Sequence, residues 1–375
     1  MHPTRISRLL AGLGLLVPAA AVSQAPSGGV AWQCAAPIAQ GRDHHVVFNA
    51  RVGRRDVLYV GGGTDYRAMF DAVQRSVIGA DGMPGPWTAS TPLPHPLAGA
   101  SAVAARGFVV LTGGQVAGEG GLRTLTRVAD TYTAPIAADG SLGAWTAGPP
   151  LPAVRFHAPS AYHEGWVYVV GGQGATVAEA DVFAARLGED GTLGPWQRLR
   201  PLPEARSHHA VVIDRGALYV VGGLDGNPAR QPTQRPNVLR AAIERDGTLG
   251  EWRQVGELPH GYATHSAFVQ GDALWLVGGV EDNARFSEIV WRAPLSRAGE
   301  VGAWSQVVNP LPFGRGHVHV TPVIGGRVYS IGGRLAPQQG APPVTGSVVV
   351  GSLNARPQAA APATGCAPAG PAATP

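Results

Sequence analysis

The sequence contains no lysine. All 29 of its basic residues are arginine, against 25 acidic ones, and the formal net charge is +4 over 375 residues. Alanine, glycine, proline and arginine are abundant, so a codon bias suffices to explain the missing lysine. So small a charge excess argues against nucleic acid or an acidic membrane surface as partner, since both select dense basic patches. Nucleophile and phosphate signatures are missing too. There is no Gly-x-Ser-x-Gly, no phosphate loop and no paired carboxylates in an obvious site. Glycine strings such as Gly61-Gly62-Gly63 end strand-like runs and do not open helices, which excludes a nucleotide-binding turn.

Long apolar runs are confined to the start. Arg5 and Arg8 precede Leu9 to Val22, and Ala19-Ala20-Ala21 supplies small residues for cleavage. This pattern reads as an export leader over residues 1–23, with an uncleaved anchor as the alternative. No later stretch is long and apolar enough to span a membrane. The expected location is periplasmic or secreted. Only two cysteines occur, Cys34 and Cys366, one near each end. In an exported chain they favour one disulfide over two free thiols.

What the chain has in quantity is glycine (53) and proline (33), arranged periodically. An alternating β-rich run ending on two glycines occurs six times, as in Ala217-Leu218-Tyr219-Val220-Val221-Gly222-Gly223. The first glycines of the pairs stand at 62, 113, 171, 222, 278 and 332. Between them lie Asp-Gly turns followed by tryptophan, such as Asp190-Gly191-Thr192-Leu193-Gly194-Pro195-Trp196, and then a Pro-Leu-Pro turn such as Pro201-Leu202-Pro203. Asp-Gly marks a tight hairpin, and proline marks a connection between strands. Each unit therefore reads as four short antiparallel strands. A lone four-stranded sheet cannot bury both faces, so the units must stack, and repetition about a ring makes a propeller.

The tryptophans, at 32, 87, 145, 196, 252 and 304, are offset from the glycine pairs. The chain starts with a lone fourth strand around Trp32 and ends with strands one to three, the last at Val348-Val349-Val350. Joining these two completes the last blade and hides the open edges. A Cys34–Cys366 bond would cross-link that closure.

The glycine pair after a hydrophobic strand, the aromatic before it (Tyr59, Tyr168, Tyr219, Trp275, Tyr329) and the spaced tryptophan resemble the kelch family of β-propellers. The resemblance covers about Trp32 to Asn354. The second repeat departs most, with Val110 in place of the aromatic. The expectation is an all-β, six-bladed kelch-type propeller over residues 24–357, closed by the N-terminal strand, with an Ala/Pro-rich tail over 358–375. Fold does not fix function in such a family.

Ten of the twelve histidines lie just after the proline turns. Four turns share a tighter pattern, Arg42-Asp43-His44, Arg155-Phe156-His157, Arg206-Ser207-His208 and Arg315-Gly316-His317, and the fifth repeat has Tyr262 with His265 nearby. Residues two apart on a strand project to one side, so each Arg and its His would line one mouth of the central channel. That gives a candidate ligand-binding set of Arg42, His44, Arg155, His157, Arg206, His208, Tyr262, His265, Arg315 and His317. The long loops Gln115–Asp130 and Leu224–Asn237 flank it, with Arg123, Arg127, Arg230 and Arg235 adding charge. A repeated Arg-His pair is equally suited to an architectural role, bridging blades and satisfying buried carbonyls.

The functional expectation is an exported module that binds an anionic small molecule, a glycan or a protein partner on this loop face. The alternative is a lyase, epimerase or mutarotase acting on an acidic sugar, with arginine holding the carboxylate and His208, Tyr262 or His265 moving the proton. Some kelch-like propellers are sialic-acid mutarotases and others are copper oxidases, but neither group's functional residues map onto this chain one by one. Whether the protein is an enzyme stays open. A transition ion on converging histidines is the weaker idea. His44-His45 and His317-Val318-His319 match no dependable ligand spacing, and carboxylates nearby are few. No metal site and no cofactor are assigned.

Overall fold

The computed structural model describes residues 29–226, 231–281, 285–336 and 343–355. The leader, the tail, Arg230 and Cys366 lie outside these described residues.

Six four-stranded antiparallel sheets form the blades. Blade 1 runs Val46–Val52, Arg55–Gly61, Val73–Val77 and Thr88–Ser90. Blades 2 to 5 repeat that order, beginning at Ser101, Ser160, Ala210 and Ser266. Blade 6 takes three strands from the end of the chain and its fourth, Gly29–Ala35, from the beginning. Trp32 pairs with Gly351 and Cys34 with Val349 across that seam. The closure read from the offset tryptophans is thus the one formed. No cysteine among the described residues is free.

The core lies between blades. One cluster joins Val57 and Tyr59 of blade 1 to Val109 and Leu111 of blade 2, and the last joins Tyr329 and Ile331 of blade 6 to Leu58 and Val60 of blade 1. Polar staples fix the blades in register. Tyr59 Oη donates to Gly140 O at 2.7 Å, reaching the Asp-Gly turn of the next blade, and Tyr168 and Tyr329 do the same to Gly247 and Gly82. Trp145 Nε1 donates backward to Pro92 O in the preceding proline turn at 2.8 Å. Tyr59, Tyr168, Tyr329 and Trp145 therefore each contribute both buried area and one hydrogen bond, whereas Val110, Trp275 and Trp304 contribute area alone.

The glycine pair has a specific task. Gly223 N–H donates to Tyr262 O of the next blade at 2.7 Å, and a Cβ on Gly222 would stand 2.7 Å from that same oxygen. Gly222 and Gly223 also have φ of +62° and +105°. The same bond recurs at every junction, ending with Gly333 N–H to Arg42 O, which joins blade 6 to blade 1. Only a residue without a side chain admits a neighbouring carbonyl this close.

Candidate functional site

The six first strands are entered through one repeated turn. Its last residue is His44, Gly99, His157, His208, Thr264 and His317 in blades 1 to 6, always in left-handed backbone with φ of 50–63°. The residue before it pairs with the one after the glycine pair, as in Asp43 with Thr64 and Phe156 with Gln173. Backbone bonds link successive turns round the axis. Gly99 N–H donates to His44 O (2.7 Å), His157 to Gly99 (2.9 Å), His208 to His157 (3.4 Å) and Thr264 to His208 (2.8 Å).

This turn separates the arginine from the histidine that follows it. Arg42, Arg155, Arg206 and Arg315 are no more than 2% exposed. Their side chains return to their own blades. Arg42 Nη1 donates to Gly62 O at 2.9 Å, and Arg206 and Arg315 bond Gly222 O and Gly332 O, each at 3.1 Å. Arg155 pairs instead with Asp181 at 2.5 Å. Burial holds Arg42 and Arg206 down to about 10 and Arg315 down to about 9, all still cationic at neutral pH. The expected ring of ligand-facing arginines does not form, because the left-handed residue breaks the alternation that would have put Arg and His on one side. The architectural alternative describes these four.

Tyr262 and His265 are also interior. Tyr262 is fully buried, donates to Glu281 Oε2 at 2.6 Å and accepts from Trp291 Nε1 at 2.8 Å. Burial raises its hydroxyl well above the usual range. His45, His209 and His265 follow the turn and wedge against the preceding blade. His45 bonds Ile331 O at 3.0 Å, whereas His209 and His265 lie beside Val170 O and Val221 O without a bond of good geometry. Burial lowers His265 to about 4. A group whose folded pKa is depressed lends stability above its unfolded value, near 6.5, and loses it as pH falls. We expect the unfolding free energy to drop between about pH 6.5 and pH 4, with His265 contributing on the order of 3 kcal/mol. Urea melts at pH 7.5 and 4.5 check this, and a His265→Asn chain should show a flatter pH dependence than the parent.

His44, His157, His208 and His317 do converge, and His319 joins them. Ring centres lie 4.4 Å apart for His44–His317, 4.7 Å for His44–His157, 4.0 Å for His157–His208 and 4.4 Å for His157–His319. One nitrogen each from His44, His157 and His317 lies within 4.8 Å of the other two. Desolvation lowers His208 to about 3 and holds His157, His317 and His319 well below the usual imidazole range, with neighbouring imidazoles adding to the effect. These four rings are therefore neutral at pH 7.

The rim was only partly legible in the sequence. Tyr66 lies 6.2 Å from His44, edge-on, and Phe156 stacks on it at 5.8 Å. Arg334 lies over the Tyr66 ring at 5.0 Å and Arg127 over Phe156 at 5.9 Å. Arg127 Nη1 also donates to the carbonyls of Gly174 and Ala175. Arg235 is paired with Glu204 at 2.6 Å. The long loop of blade 2 forms a hairpin, Gln115–Gly118 with Gly121–Arg127, on which Leu125 is 47% exposed. Tyr66, Arg334 and His319 stand outside the Arg-x-His motif, and Phe156 is its variable middle residue. Their one signal was position, in or beside the turn and the loop after the glycine pair. His95, near Asp130 at 3.5 Å, and His260, near Trp291, lie away from the cluster.

Comparisons with known proteins agree with the fold. A family model described as the Kelch motif matches residues 205–234. Beta-scruin of Limulus polyphemus is 31% identical over 134 residues, covering 34% of this chain and 13% of scruin. Kelch-like protein 34 of Homo sapiens is 30% identical over 177 residues, covering 45% of this chain and 24% of that protein. Kelch-like protein terF of Aspergillus terreus is 28% identical over 199 residues, 51% of this chain and 41% of terF. The chain thus matches less than half the length of each of these curated relatives. A solved structure described as "Structure of YjhT" superposes with a TM-score of 0.65 at 16% identity, covering 84% of this chain and 96% of that one. At that identity the likeness is one of fold alone.

Proposed function

We propose that this chain, which is a kelch-repeat β-propeller, is an exported binding module. It holds an anionic ligand, an acidic glycan or an acidic patch of a protein partner, at the mouth of its axial channel. The observation that carries the reading is the rim, where Arg127 and Arg334 are spread over Phe156 and Tyr66 beside a ring of imidazoles. Guanidinium held on an aromatic face is pre-ordered to meet carboxylate, and flat aromatic surface suits a sugar ring or a peptide side chain. The blade 2 hairpin, with Leu125 exposed, extends that surface. Loops on a rigid scaffold are the usual seat of binding.

The enzymatic alternative rests on His208, Tyr262 and His265, and their surroundings weaken it. An imidazole with a pKa of about 3 is a poor base at neutral pH. Tyr262 and His265 are fully buried.

The test uses protein recovered from outside the cytoplasm of an expressing host, titrated against uronic- and sialic-acid oligosaccharides at two salt concentrations. Wild type should bind more weakly in high salt. The double variant Arg127→Ala, Arg334→Ala should lose tenfold or more in affinity with its melting temperature held. Equal binding by the double variant would sink the rim as the site, and no binding of any acidic glycan at low salt would leave only a protein partner. Intact mass of the same sample, alkylated without reduction, tests the export reading. Cys34 and Cys366 should both stay unmodified, and alkylation of both would remove the proposed bridge.

A further inference from the structure

The axial histidines lie beside the rim, and the anion-binding reading gives their ring nitrogens no task. We propose that His44, His157 and His317 bind one divalent first-row transition ion on the propeller axis, at the floor of the mouth.

Three nitrogens no more than 4.8 Å apart lie at most about 2.8 Å from their common centre, against 2.0–2.1 Å for a zinc–imidazole bond. Each ring needs to swing inward by less than about 1 Å to meet an ion there. Two of the three rings carry a nitrogen with no partner. His157 Nε2 and His317 Nδ1 are buried and have no hydrogen-bond partner, and neither does His319 Nε2 beside them. Orphaned buried polar atoms are rare in folded proteins and call for an explanation.

His44 is prepared differently. Its Nδ1 lies 2.7 Å from Asp43 Oδ1, and Tyr66 Oη donates to Asp43 Oδ2 at 2.5 Å. With Nδ1 engaged, the lone pair is on Nε2. A carboxylate behind a ligating histidine fixes its tautomer and raises its basicity, the usual outer-shell arrangement of a metal site. Asp43 is fully buried, and His44 is its one ionic partner among the described residues. A cation bound through His44 would compensate that charge.

The backbone of the turn decides which variants can test the site. The turn residue has left-handed φ in every blade, and blade 2 fills it with Gly99. His44, His157 and His317 fill it at φ of 50–56°, where a side chain costs about 1–2 kcal/mol. His208 and Thr264, outside the set, share that backbone, so glycine at any of these positions relieves the same cost. The donor set selects the ion. Imidazoles suit copper, nickel, zinc and iron, whereas magnesium and calcium require oxygen ligands that are absent from this set.

The inference does not depend on the glycan or protein reading. Glycan titrations can fail while metal binds, and the reverse. The experiment takes the full mature chain without a polyhistidine tag, stripped with chelator, and titrates it with Co2+, Zn2+ and Cu2+ by calorimetry and visible absorption. One ion per chain is expected, with Mg2+ and Ca2+ inert. His157→Gly and His317→Gly, which follow Gly99 and suit the backbone, should each weaken binding 100-fold or more. Asp43→Asn should weaken it about tenfold to 100-fold, and His95→Ala should leave it unchanged. Nitrogen hyperfine structure in the spectrum of the Cu2+ form counts the imidazoles without any variant, and three are expected. Failure to bind at 100-µM-scale metal, undiminished binding by both glycine variants, or a copper spectrum with one imidazole or none would each overturn the proposal.

Discussion

Removing Gly29–Ala35 is expected to abolish the cooperative folding of the whole propeller and not merely of one blade. That strand is the fourth of blade 6, and among the described residues it alone pairs with the outer edge of Val348–Ala355, whose inner edge pairs with Arg327–Ile331. Val30 is fully buried against Val328 and the Trp275 side of blade 5. Trp32 Nε1 donates to Asn309 O at 3.0 Å. Losing a buried valine and a packed tryptophan costs about 5 kcal/mol or more, comparable with the whole 5–15 kcal/mol that typically holds a domain folded. The exposed edge would also invite pairing between chains. Circular dichroism melts and size-exclusion chromatography of a chain beginning at Ala36 check this. A sharp melt within a few degrees of the parent would show that the ring does not depend on its seam.

The second large effect separates the two halves of the Arg-x-His pattern. Arg315→Ala should destabilise the protein by about 2–4 kcal/mol, because it strands Gly332 O and Ser347 Oγ and leaves a cavity beside Phe313. In a chain of this size that lowers Tm by about 3–6 °C. His208→Gly, two residues along the equivalent turn, should move Tm by no more than about 2 °C, since φ of +57° is one that glycine takes freely. Thermal melts of the two variants side by side decide the matter. The reverse order, a large loss at His208 and none at Arg315, would make the histidines the architecture and the arginines the free groups.

Blade count, strand order and the seam were all legible in the sequence, because each rests on local chemistry repeated six times. Gly222-Gly223 must end a strand, Asp190-Gly191 must turn, and Pro201 and Pro203 must lie between strands. The lone Trp32 strand then had one place to go. The seam's cross-link to Cys366 stays a sequence expectation, since that residue lies outside the described part of the chain.

The candidate site was legible as a place and not as a set of roles. The sequence singled out these turns, and the structure brings His44, His157, His208 and His317 together there. It could not tell that Arg42 and Arg315 turn inward, because that depends on a left-handed residue within each turn and on carbonyls reached only after the blade is built. Nor could spacing along the chain suggest a metal site. Its three histidines come from blades 1, 3 and 6, and no separation along the chain encodes closeness on an axis. Local periodicity by itself determined the architecture. Tertiary structure alone decided which side chains face one another, because a ring brings together residues whose only common property is their place in the repeat.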